Sequence, residues 1–108
     1  MSKTTIARGN LLRANMIQVK LTPTVVGTAA SSEQTFTIQD LATTDMVEVN
    51  SNAAQTQGIG IGNARVSAAN TLAIQFTNAQ TVAETPVVGL YNILVFRCED
   101  NPPPANTI

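Results

Sequence analysis

Few residues in this chain have the types and spacing that chemistry needs. Gly58-Ile59-Gly60-Ile61-Gly62 has the glycine density of a loop that cradles phosphate. A dinucleotide loop reads G-x-G-x-x-G and opens a helix, because the helix N-terminus holds the anion. Here the third glycine position is Asn63 when the pattern starts at Gly58, and Arg65 when it starts at Gly60. No helical pattern follows, so the glycines read as a bulge or a close backbone approach, and no cofactor is expected. Asp40 and Asp45 flank a threonine-rich turn, and Glu99-Asp100 follow the last apolar run. Paired carboxylates can bind calcium or move protons, but neither pair has the spacing of a calcium loop. They read as turn caps and solvated ends. Cys98 is the lone thiol. A nucleophilic thiol needs a base beside it, and the chain has no histidine, so Cys98 reads as a packing residue.

The wider composition excludes more. Without histidine there is no Ser-His-Asp triad, no Cys-His pair and no His-ligated zinc. One cysteine excludes an internal disulfide framework. Phe36, Phe76, Tyr91 and Phe96 are the aromatics, and six basic residues accompany them, which is a poor stacking platform for nucleic acid. No catalytic activity, metal or nucleic-acid partner is expected. At 108 residues the chain has the length of one domain. Charged residues are 12%, about half the usual share. Neutral polar residues replace them: 15 Thr, 10 Asn, 7 Gln and 5 Ser. The longest apolar run, Val87 to Phe96, is interrupted by Gly89 and Asn92 and is far below the roughly 20 residues of a spanning helix. The first twenty residues hold no apolar run of the kind a secretory signal needs, and the lone Cys98 suits a reducing compartment, so cytoplasmic synthesis and no membrane partner are expected.

Charge is unevenly placed. Residues 1–20 carry +4 from Lys3, Arg8, Arg13 and Lys20, and residues 21–108 carry −5. The basic stretch reads either as a solvated terminus or as an arm docking on an acidic neighbour.

The elements that would position these residues are strands. Residues 1–14 lack clear periodicity and read as an arm, with a helical turn possible around Ile6–Arg13. From Asn15, Ile17, Val19 and Leu21 alternate with Gln18 and Lys20, the period-two pattern of a half-buried strand. Val25-Val26 form a short apolar step. Gln34, Phe36 and Ile38 share a face, then Asp40–Asp45 read as a turn, and Val47 and Val49 point inward around Glu48. Ala64 and Val66 continue Ile59 and Ile61 one residue out of phase, which predicts a bulge at Gly62-Asn63. Asn70 suits a left-handed turn position before a strand with Leu72, Ile74 and Phe76 inward and Thr71, Ala73, Gln75 and Thr77 outward, predicting a hairpin of 64–66 with 72–77. Leu90–Phe96 is apolar on nearly every residue. It reads as a strand buried on both faces, or on a core face plus an oligomer interface. Such a strand predicts self-association, with Tyr91, Ile93, Val95 and Arg97 as expected contacts. The whole is an all-β reading: one small antiparallel β-sandwich of about seven short strands over residues 15–100. An extended N-terminal arm of residues 1–14 precedes it and a proline-rich tail of residues 101–108 follows.

Gly58–Phe76 reads GIGIGNARVSAANTLAIQF, and Tyr91-Asn92-Ile93-Leu94-Val95-Phe96-Arg97 closes the last strand. With Met46-Val47-Glu48-Val49, these pieces resemble small β-sandwich domains of tailed-bacteriophage virion proteins, over roughly residues 22–98. Asn70 stands where that pattern often has glycine. The resemblance implies a virion structural role: a decoration (cement) protein on the capsid surface, or alternatively a head- or tail-fibre module. It implies the major capsid protein and further copies of the chain as partners. A homotrimer would match the local three-folds of a shell, with Lys3, Arg8, Arg13 and Lys20 as contacts of the basic stretch.

Overall fold

A computed structural model describes residues 9–100 and 102–105. Among them are six strands: β1 (Leu11–Leu21), β2 (Ser31–Thr37), β3 (Met46–Ser51), β4 (Ile59–Ala68), β5 (Thr71–Asn78) and β6 (Gly89–Cys98). They form two three-stranded antiparallel sheets in the orders β1-β6-β3 and β2-β5-β4. The two sheets pack as a small β-sandwich, so the all-β architecture read from alternation is the one observed. The seventh strand is missing because Val25-Val26 forms only one bridge, Val26 to Glu84.

Alternation decides which side chains enter the core. On β5, Leu72, Ile74 and Phe76 are fully buried; on β6, Tyr91 and Ile93 are fully buried and Val95 nearly so. These two central strands face each other, and Phe76 meets Tyr91 edge to face with centroids 6.4 Å apart. Leu21, Val26, Ile38, Leu41, Val47, Ile59 and Val66 complete the cluster from the flanking strands and loops. The expected hairpin forms, with Ala64 opposite Ile74 and Val66 opposite Leu72. Its two-residue turn has Asn70 at φ 58°, the left-handed conformation that asparagine tolerates. The register shifts between Ile61 and Asn63, at the expected bulge.

Three expectations are corrected. β1 begins at Leu11, so residues 11–14 belong to the sheet and not to the arm, and no helical turn precedes them among the described residues. Their alternation was hidden because Arg13 and Asn15, on the core-facing side, are polar and not buried. Lys3 and Arg8 lie outside the described residues. Ala73, expected outward, is fully buried. Glu33 on β2 and Arg65 on β4 join in a bidentate ion pair, both contacts 2.8 Å, that spans the outer face of β5 at the level of Ala73 and Gln75. Finally, Tyr91, Ile93 and Val95 face the interior of the subunit. The surface side of β6 carries the opposite parity: Leu90, Asn92, Leu94 and Phe96.

Phe76→Ala removes the largest side chain facing β6 and is expected to cost about 3–5 kcal/mol. Val25→Ala, at an exposed loop position, is expected to change stability by less than about 0.5 kcal/mol. Urea denaturation midpoints check both; equal effects of the two substitutions would contradict the placement of the core.

Candidate functional site

The residues with chemical potential are mostly engaged in holding the fold. Arg97, at the end of β6, donates from Nε and a terminal nitrogen to the two carboxylate oxygens of Asp45, each at 2.9 Å. The Asp45 side chain is completely shielded from solvent, whereas Arg97 retains 24% exposure. Asp45 also accepts from the Ala42 N–H at 2.9 Å, while its own N–H donates to the Ala42 carbonyl. Arg97 further donates to the Asp40 carbonyl at 2.8 Å. The expected contact residue is thus an internal clamp fixing the β2–β3 connection to the central strand. The guanidinium of Arg97 holds the Asp45 carboxyl below the usual carboxylate range, against the opposing effect of burial. Arg13 pairs with the exposed Asp40 at 2.8 Å, a contact worth little by itself. Arg65 likewise lowers the pKa of Glu33.

Neutral amides make the other ties. The buried Asn78 carboxamide donates to the carbonyls of Val26, Gly27 and Val82, and accepts from the Gln80 N–H. One side chain therefore joins the β1–β2 and β5–β6 connections. The Asn70 side chain accepts from the Asp40 N–H at 2.7 Å, and its backbone bonds Ile38 and Leu41. At the other end, the Tyr91 hydroxyl donates to the Val87 carbonyl at 2.7 Å and accepts from Gln55. Desolvation raises the pKa of that hydroxyl. Gly58, at φ 86°, lies where a side chain would run into Gln80, so the glycine-rich stretch is a site of close packing, and from Ile59 onward it is part of strand β4. Among the described residues, no group of three histidine, cysteine, aspartate or glutamate side chains could hold a metal ion.

What remains outside these ties is the outer face of the β1-β6-β3 sheet. Registers place Ala14, Phe96 and Met46 in one row across the three strands, and Met16, Leu94 and Glu48 in the next. Met16 is 76% exposed and Met46 60%. The third row is polar: Gln18 donates to Asn92 and Asn92 to Asn50, both at 2.9 Å, across the sheet. Lys20 and Leu90 form the last pair. At the opposite end a shallow groove of about 500 Å3 is lined by Leu11, Met46, Phe96, Cys98, Pro103 and Pro104 among others. The arrangement provides apolar contact area with a polar border and no converging nucleophile, acid or base. Among the described residues, Lys20 is the one expected contact residue that this face carries openly, and Pro103 and Pro104 lie at its rim. Met16, Met46, Leu94 and Phe96 were missed as surface residues. For Leu94 and Phe96 the signal was the apolarity of both parities of β6, which marks two buried or contact faces without saying which is outward; Met16 and Met46 join them only through the register of β1 and β3 with β6.

Comparison with known proteins identifies no relative: no protein-family model, curated protein or solved structure matches the chain.

Asp45→Asn removes the charge from the shielded partner of Arg97 and is expected to destabilise by about 2–3 kcal/mol, between surface and fully buried pairs. Because the folded pKa of Asp45 lies below its unfolded value near 3.8, its contribution is present above that pH and is lost as pH falls through the folded value. Thermal melts from pH 6 to 2 should show a steeper acid decline for the natural protein than for the variant. Parallel curves would exclude this pair as a source of acid sensitivity.

Proposed function

We propose that the chain is a structural, non-catalytic subunit of a tailed-bacteriophage virion: a decoration protein that binds the outside of the head shell and stabilises it through many repeated contacts. The observation that carries this reading is the apolar end of the outer face of the β1-β6-β3 sheet, where Met16 and Met46 are exposed beside Leu94 and Phe96, with Leu90 exposed beyond a polar row. Large exposed apolar patches mark association surfaces. The resemblance of Gly58–Phe76 and of the last strand to virion β-sandwich domains supplies the class of assembly. Major capsid protein and further copies of the chain are the partners. A trimer matches the local three-fold axes of a shell. Weak contacts become strong in sum when hundreds of copies engage one particle.

The aromatic residues favour decoration over a receptor-binding fibre. Phe76 and Tyr91 are fully buried, and Phe36 and Phe96 are half-buried, so no open aromatic platform for sugar stacking is left.

Quantitative mass spectrometry of purified virions tests the reading. Copies in the hundreds per particle are expected; about a dozen, or none, would overturn decoration. The double substitution Met46→Gln with Leu90→Gln removes two exposed apolar contacts and leaves the core untouched. Each contact buried on binding is worth about 1.5–3 kcal/mol, so occupancy of heads is expected to fall more than tenfold at limiting protein. Unchanged occupancy would remove this face from the interface.

A further inference from the structure

We propose that β1 is a pairing edge through which two copies of this chain join, antiparallel and about a two-fold axis at Met16, into one continuous six-stranded sheet. Edge strands expose unpaired N–H and carbonyl groups, and proteins normally blunt them. Three of the four edges in this sandwich are blunted. β4 carries two register irregularities, at Ile61/Asn63 and Val66/Ala68. β3 has only six residues and lies against β4, where the two sheets meet. β2 has seven residues, and its Gln34 side chain grips both the N–H and the carbonyl of Thr24, tying the preceding segment back to the strand.

β1 is blunted least: Arg13 and Lys20 are its only charged side chains. It runs for eleven residues with no proline or glycine, and its one irregularity is at its start, between Leu11 and Arg13. Along its core-facing side Leu21 is buried and Val19 half-buried, but Ile17 and Asn15 are exposed. Beneath it is a hollow of about 170 Å3, with Ile17, Leu41 and Val95 as apolar lining and Asn15 and Gln39 as polar lining. Arg13 also lines the hollow with Asp40, to which a terminal nitrogen of Arg13 donates at 2.8 Å; its Nε is shielded from solvent and has no acceptor among the described residues. A buried donor without an acceptor is uncommon in a finished assembly. The exposed apolar side chains Leu12, Met16 and Ile17 all lie on this strand.

The occupant follows from the sequence of the strand. Met16 is the midpoint of Leu11–Leu21, so a two-fold there is the antiparallel register that uses all eleven residues. It sets Met16 against Met16, Ala14 against Gln18, Leu12 against Lys20, Asn15 against Ile17 and Arg13 against Val19. No like charges face each other, although the strand carries two cations and no anion. The outer apolar rows of the two copies then run on into each other through the paired methionines. At roughly 3.3 Å per residue the contact is about 36 Å long, and a contact about 10 Å deep removes on the order of 350 Å2 from each copy. About 700 Å2 in total is below the roughly 1,200 Å2 of stable interfaces, so the pair is weak and concentration-dependent in solution. It is a two-fold contact, additional to any three-fold association, and it does not depend on the decoration reading.

Sedimentation velocity on the isolated protein from about 10 μM to 1 mM tests it without shells. The natural chain should shift from monomer-like to faster-sedimenting species as concentration rises. Met16→Lys and Met16→Glu, at an open position, should each keep the circular dichroism of the natural chain and lose the shift. An equimolar mixture of the two should regain it, because only a contact that brings residue 16 to itself pairs the opposite charges. Concentration-independent sedimentation of the natural chain would overturn the proposal. So would a shift that survives Met16→Lys, or one lost in both variants and not restored by mixing. Loss of head binding with β1 pairing intact would instead count against decoration alone.

Discussion

The structure depends on two strands facing each other. Each sheet has three strands, so only β5 and β6 have a neighbour on both sides. Their inward residues, Leu72, Ile74 and Phe76 against Tyr91, Ile93 and Val95, are each exposed by 5% or less. A core this narrow anchors the long connections 22–30, 38–45 and 79–88 at only a few apolar points, Val26, Ile38, Leu41 and Pro86, and other ties hold the rest.

The unusual composition answers that need. Asparagine and glutamine each carry both donors and an acceptor, so one side chain can satisfy several backbone groups where chain segments converge. Asn78 does so for two connections, Asn70 for the β2–β3 turn, Gln34 for Thr24 and Gln55 for the segment before β6. The shielded Asp45 carboxylate, held by Arg97, is the charged version of the same device. Low net charge and few ion pairs are therefore compatible with well-defined loops. Several charged and amide side chains are engaged in these ties, while the apolar end of one sheet face and the β1 edge lie outside them.

Much of this was legible in the sequence, for a physical reason. Where one face is buried and the other wet, alternation reports the burial directly, as on β5 with Leu72, Ile74 and Phe76. The bulge at Gly62-Asn63 and the left-handed Asn70 were readable because a phase change and a turn residue have local causes. The orientation of β6 was not readable, because both of its parities are apolar. Asn78, Gln34 and Gln55 were invisible as ties, since their partners lie far away in sequence. Ala73 read as outward by parity and is buried all the same, covered at a level where Glu33 and Arg65 reach across the sheet. Arg97 shows the limit most clearly. Its type suggested a contact, but only the fold reveals that the contact is with Asp45 of its own chain.

The central claim is that the outer face of the β1-β6-β3 sheet is where this protein meets its assembly. Met16 and Met46 report on that face, being open in the single subunit and carrying thioethers that peroxide oxidises when accessible. Oxidation rates of these two residues, followed by mass spectrometry in dilute protein and in the assembled particle, measure the claim directly. The account predicts rapid oxidation of both in dilute protein and strong protection of both on assembly. Equal rates in the two states would contradict it.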